Sequence, residues 1–344
     1  MPFGEVADLK AAEPPESSAR DLKFASANPY PELGVSFIWE TKEVRLWPVI
    51  HAFRSNIQRL ESMLYLPKYL TWLSRSYERK YCQSLLEVTQ GIATNDLPQS
   101  QVEEVNGKLN ELLARWIEEV KTQRIHFVGG EVEQVGTRSI DALLPIGGGI
   151  AWLGLESILI GQITGAWTAF EVLVGDLWEA ALNCHPETLS TLKGSRKPGG
   201  TTEGKQKDDK QIALDLLGLH GYDLSNKMGT ILRDKLGFAT LERARECYSM
   251  AFDDKKITDV IVRPCIDTLQ SVRNVFVHKA GFADKVFKSN TAGISLFSTV
   301  MIKQRIPIDG PLIQSCIRPV MHCAMELISL VSEWIVDHPQ SGGE

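Results

Sequence analysis

Arg273-Asn274-Val275-Phe276-Val277-His278 gathers, within six positions, three side chains able to act on a phosphate group. An imidazole takes or gives a proton near neutral pH. A guanidinium holds a phosphate through two parallel N–H bonds. A carboxamide orients either of them. At about 100° per residue, Asn274 and His278 point within about 40° of each other, on a face distinct from Val272 and Phe276, and Arg273 reaches the same patch. The spacing predicts one polar face on the last turns of an amphipathic helix. No metal-binding carboxylate cluster is needed for this chemistry. The plainer structural alternative is a helix-end imidazolium favoured by the helix dipole, with Arg273 in a salt bridge.

Other chemistry is poorly represented. Gly147–Gly149 lacks the GK[ST] continuation of a phosphate loop and follows no clear strand. The remaining histidines (51, 126, 185, 220, 322 and 338) have no ligand spacing, and no nucleophile elbow occurs. No metal and no cofactor is expected. Trp152, Trp167 and Trp178 recur at near-helical spacing and read as core rather than as base-stacking platforms.

The element that must present the motif is a helix from about Thr258 to Ala280, with Val262, Ile266, Leu269, Val272 and Phe276 at helical period and Gly281 at the position after its end. Before it, Thr240 can cap a helix that buries Leu241, Ala244, Tyr248 and Ala251, and shorter helices are expected near 211–217 and 224–236. A long helix from about Trp152 to Leu182 is apolar nearly all round, as a central helix is. Residues 293–308 read as a short β-ribbon. The closing helix is opened by Pro311, bent by Pro319 and ends near Asp337.

In the first half, residues 35–50 are aromatic and β-branched and predict a strand or two. Ser55 is expected to cap a helix ending at Leu66, and Pro67 to start another running to about Thr94. Residues 101–122 carry the clearest stripe of this half. The glycines of 126–150 suggest a boundary. The expected organisation is thus a disordered tail (1–30), a helical region of unknown role (31–149) and a second domain (150–337). Residues 191–210 hold six basic and three acidic residues with four glycines, and are expected to form a mobile basic loop.

The 344 residues carry a net charge of −6, which argues against a surface coated with basic residues but not against a local basic groove. Six scattered cysteines with no CxxC pair support neither a disulfide scaffold nor a zinc ribbon, so a reducing compartment is expected. The acidic, proline-bearing N-terminus has no apolar signal region. The run 142–170 is interrupted by Glu156, leaving each side shorter than the roughly 18 residues of a span, so a buried helix and a cytoplasmic protein without a membrane anchor are expected.

An arginine, a polar residue, three further residues and a histidine, late in a helix of an all-α domain, resemble the R-x4–6-H signature of the HEPN superfamily. The segment TGAWTAFEVLVGDLWEAAL resembles that family's first long helix, and HKAGFADKVF its continuation after the motif. The resemblance covers about residues 150–337. It implies a mainly α, HEPN-like helical bundle with a short β-ribbon, and a homodimer in which two motifs face each other across a two-fold axis to cut RNA without a metal. His278 would be the general acid or base, Arg273 would stabilise the phosphorane charge, and Asn274 would orient either. Glu171 or Asp176 would be an acidic assistant, and Lys279, Arg196 and Lys197 would contact RNA. An endoribonuclease of microbial toxin or antiviral defence type, held in check by an antitoxin or regulatory protein, is the activity implied. The alternative is a non-catalytic HEPN-like module that binds a nucleotide, RNA or protein partner.

Overall fold

A computed structural model describes residues 29–30, 41, 43–91, 97–122, 131–186, 214–222, 224, 226–238 and 240–338. Among them the chain is mainly helical and contains no strand; an isolated bridge between Phe282 and Arg305 is the β structure present. Ten α-helices follow in order: α1 (Trp47–Thr89), α2 (Gln99–Thr122), α3 (Glu131–Cys184), α4 (Leu214–Leu219), α5 (Met228–Leu236), α6 (Leu241–Ala251), α7 (Lys255–Ile261), α8 (Pro264–Lys279), α9 (Lys285–Asn290) and α10 (Gly310–Asp337). The chain divides into two compact units. One is built around Ser62–Leu159, the other around Asn28–Glu61, Ile160–Pro307 and Leu312–Glu344.

In the first unit, α2 buries Val105, Leu109 and Leu112, the stripe expected from its periodicity. Trp116 packs on Trp72 of α1 with ring centroids 5.4 Å apart. Lys108 reaches Glu87 of α1 at 3.3 Å. At Gly136, α3 comes so close to α1 that a Cβ would lie 2.5 Å from the Lys68 carbonyl oxygen, and only glycine permits that approach.

The second unit is organised on α3. Leu173, Leu177, Trp178 and Ala181 are buried to 1% or less, and α6, α8 and α10 supply Tyr248, Leu269 and Leu327 to the same core. Polar atoms in this core are satisfied rather than excluded. Trp178 donates Nε1–H to the Cys247 carbonyl (3.0 Å), and Tyr248 donates its hydroxyl to the Val174 carbonyl (2.8 Å).

Several expected breaks are absent, each for a local reason. Residues 44–50 are helical, not extended. The Glu43 carboxylate accepts from the Arg45 N–H (2.8 Å) and caps a 3-10 turn, and Pro48 suits a first helical turn, which outweighs the β-branched side chains. Pro67 lies inside α1 instead of starting a helix, and Ser55 is interior too. Residues 131–150 are helical through the glycine run, so α3 starts more than four turns before Gly147; residues 123–130 lie outside the described residues. The helix expected over 258–280 is two, because Pro264 cannot continue α7 and Arg263 before it is extended (ψ 136°). The expected ribbon at 293–308 is a 3-10 turn (Ser295–Phe297) and irregular chain. Its apolar residues Phe297, Val300, Ile306 and Ile308 are buried individually, without a ladder. The tail 1–28 and the loop 191–210 lie outside the described residues.

Gly149–Cys184 and Gly310–Asp337 are long and apolar enough to cross a membrane, and 56% of the apolar window of each is buried within the protein.

Glu43 gives a test of this packing. Its backbone N–H donates to Ser332 (3.1 Å), and its carboxylate accepts from Arg45 Nε and Nη2 (2.8 and 3.0 Å). The Arg45 hydrogen bond holds its carboxyl below the usual carboxylate value, against burial that pushes the other way. With a folded pKa below the unfolded one, the stabilisation is complete above the unfolded value and is lost as pH falls through the folded value. Glu43→Gln is therefore expected to lower stability near neutral pH by about 1 kcal/mol, kept small by the exposed Arg45 side chain. The gap to wild type should close below about pH 4. Urea midpoints across that range check this; a gap that does not change with pH contradicts it.

Candidate functional site

The buried side of α8 is Ile266, Leu269, Val272 and Val275, and this stripe fixes its rotation. Asn274, His278 and Lys279 are left exposed on the other side, with Arg273 half-buried between the two. The C-terminus of α8 is held by the Val275 carbonyl, which accepts from the N–H groups of both Ala280 and Gly281. Ala280 (φ 50°) and Gly281 (φ 85°) are both left-handed, so the reversal is shared where the sequence pointed to Gly281 alone. Gly281 also lies against the Phe276 ring, where a Cβ would come within 3.2 Å.

The turn delivers the chain into α9. Asp284 caps that helix by accepting from the Phe287 N–H (2.8 Å), and Asn290 donates to Ser271 of α8 (3.1 Å). Between the end of α8 and α9 lies a groove of about 180 Å³ whose lining includes Asn274, His278, Lys279, Asp284 and Asn290.

Arg273 Nη1 donates to Asn274 Oδ1 (3.0 Å) and lies 3.3 Å from His278 Nε2. A guanidinium nitrogen only donates, so His278 Nε2 accepts and its ring proton sits on Nδ1. In that contact the Nε2 lone pair of the imidazole faces the cation. Arg273 Nε is buried and has no hydrogen-bond partner among the described residues. An unsatisfied buried donor on a cation costs about 1–3 kcal/mol. The set can bind an anion and move a proton at one point.

The two acidic candidates on α3 have different surroundings. Burial raises the Glu171 carboxyl above the usual carboxylate value, and the charge of Arg273 pulls it part of the way back. The Asp176 carboxylate accepts from Arg233 Nη1 (2.6 Å), which also reaches Glu179 (2.7 Å). Asp176 is part of a polar seam between α3 and α5. In that seam Thr230 donates to Glu179 (2.6 Å), and Asn183 Oδ1 accepts from the Gly229 N–H (2.7 Å) at the start of α5.

No family model, curated protein or solved structure matches the chain. The site stands on its own geometry. Arg196 and Lys197 lie outside the described residues, so Lys279 is the expected RNA contact that the structure brings to the groove. Among the described residues no group of three His, Cys, Asp or Glu side chains is set to hold a metal ion. Trp167 and Trp178 are buried core residues, as their spacing indicated. Ser271, Asp284 and Asn290 were not singled out from the sequence. Asp284 carried a usable signal, being an aspartate three residues before an aromatic at a helix start, whereas Ser271 and Asn290 meet only when α9 folds back.

Proposed function

We propose that this chain is a metal-independent endoribonuclease of the HEPN kind. It works in the cytoplasm as a homodimer, with one composite site made from two copies of the Arg273–Asn274–His278 face. The observation that carries the reading is Arg273 itself, which bridges Asn274 and His278 Nε2 while its own buried Nε lacks a partner. A phosphodiester entering the groove takes over the guanidinium. His278 Nε2 is then released to accept the proton of the adjacent ribose 2′-OH as that oxygen attacks phosphorus. The O2′–P bond forms and the P–O5′ bond breaks. The departing O5′ takes a proton from the second copy's His278, which enters the step as the imidazolium, leaving a 2′,3′-cyclic phosphate and a 5′-hydroxyl. One histidine gains the proton that the other loses. Arg273 stabilises the charge on the phosphorane oxygens. Glu171 sets the position of Arg273 through its charge, and Lys279 steers the strand.

In this reading α3 and α10 are core helices rather than membrane spans; Asp176 and Glu179, inside the apolar stretch of α3, are engaged by Arg233. A toxin or antiviral defence role follows from the resemblance in the motif, and with it a separate antitoxin or regulatory protein that covers the groove until it is needed. The competing reading is a non-catalytic module binding a nucleotide, RNA or protein partner. It draws on the same contacts, since Arg273 is already held by its neighbours, and it predicts binding without turnover.

The test is incubation of purified protein with single-stranded RNA in excess chelator, alongside light scattering for the dimer. Cleavage by a dimer supports the nuclease; RNA binding without cleavage supports the module. Asp176→Asn sharpens the assignment of roles. It is expected to lower stability by about 1 kcal/mol through the half-exposed Arg233 seam while cleavage stays within about twofold of wild type. A large loss of cleavage with unchanged stability would move Asp176 back into the site.

A further inference from the structure

Cys265 and Cys323 are far apart in sequence, yet their Sγ atoms lie 3.6 Å from each other. Cys265 is the second residue of α8, directly after Pro264, and Cys323 sits mid-way along α10. Both are reduced. Cys323 is buried to 1% exposure. Cys265 is half-buried and lines an open cavity of about 540 Å³ with Thr268, Leu296, Ser315 and Cys316, so a small solute reaches Cys265 from that side.

The surroundings are those of a reactive dithiol. Arg263 places Nη1 3.8 Å from Cys323 Sγ and is itself fixed by both oxygens of Glu326 (2.6 Å each). The Cys265 thiol, first, and then the Arg263 cation favour a thiolate on Cys323 and pull it down to about 7, while the same hydrogen bond pushes Cys265 up. Without a hydrogen-bonded thiol or cation, burial works the other way: it pushes Cys247 up to about 11 and Cys316, which lines the same cavity as Cys265, up to about 12. Two packing cysteines in a core need neither a cation nor an opening.

We propose that Cys265 and Cys323 form a reversible redox site, oxidised by hydrogen peroxide to a disulfide that ties the first turn of α8 to α10. The thiolate rests mainly on Cys323 beside Arg263; in the minor form in which the shared proton sits on Cys323, the thiolate is on Cys265, the sulfur that lines the cavity. Cys265 Sγ attacks one peroxide oxygen. The S–O bond forms and the O–O bond breaks, and the hydroxide released takes the proton that the pair had given to solvent. Cys323 Sγ then attacks the Cys265 sulfenic acid. The S–S bond forms, the S–O bond breaks, and the second hydroxide leaves as water with the Cys323 proton. Two thiols lose two electrons, and the peroxide becomes two waters. Cellular thiols reverse the bond by exchange.

The experiment treats the full chain with hydrogen peroxide, traps remaining thiols by alkylation and maps disulfide-linked peptides by mass spectrometry, with Cys82 as an exposed internal standard. The expected result is a Cys265–Cys323 link formed at least about tenfold faster than Cys82 is oxidised, reversed by dithiothreitol. Arg263→Gln is expected to slow it by about tenfold, by removing the cation that favours the thiolate. Mapping the wild-type chain needs no variant to fold. The proposal is overturned if the pair stays alkylatable after Cys82 has been oxidised, or if peroxide drives Cys265 to a sulfinic acid with no link to Cys323.

Discussion

His278→Ala is expected to reduce RNA cleavage by about 10²–10⁴-fold in kcat and to leave the fold unchanged. The size follows from the geometry. Nε2 of His278 is the basic lone pair facing Arg273, and a water molecule in its place has neither the basicity nor the position to serve as general base. Stability should move by no more than about 0.5 kcal/mol, because His278 is exposed and its hydrogen bond is to an arginine that Asn274 also holds. Cleavage assays beside urea unfolding separate the two effects. Cleavage that survives the substitution removes His278 from the chemistry.

Trp178→Ala carries the largest expected loss of stability, about 3–5 kcal/mol. The indole is fully buried on α3, stacks in a tilted pair with Phe238 (5.1 Å) and satisfies the Cys247 carbonyl. Alanine empties that volume and removes the second donor to a carbonyl already held inside α6. Trp178→Phe should restore most of the packing and still cost about 1–2 kcal/mol for the missing donor. Denaturant midpoints of the three proteins check the order. Phenylalanine as damaging as alanine would mean that the hydrogen bond, not the packed volume, dominates at this position.

The two halves of the chain were legible to different degrees. Helices with one apolar stripe were readable, because burying a stripe requires that spacing; α2, α6 and the C-terminal half of α3 lie where their periodicity put them. Breaks were less readable. Pro67 and Gly147–Gly149 mark ends when helices are short, but in helices of 43 and 54 residues the packing on either side overrides one missing N–H or a few flexible residues. The β-branched residues near 44–50 misled in the same way, since a side-chain cap decides the local conformation there.

Within the site, the relation of Arg273, Asn274 and His278 was readable because one helix carries all three. The partner of Asp176 was not, because Arg233 lies nearly sixty residues further on. The Cys265–Cys323 pair was invisible for the same reason, being a contact between two helices whose sequences show only isolated cysteines.

In-line attack of a ribose 2′-OH at the Arg273–Asn274–His278 face, as proposed, leaves its mark on the ends of the product. An oligoribonucleotide and its counterpart with a single 2′-deoxy sugar at the cut position are incubated with the purified chain in chelator, and the termini are read by mass spectrometry. The account predicts a 2′,3′-cyclic phosphate and a 5′-hydroxyl from the first and no cut in the second. Cleavage of both, or products ending in a 3′-hydroxyl and a 5′-phosphate, would contradict it.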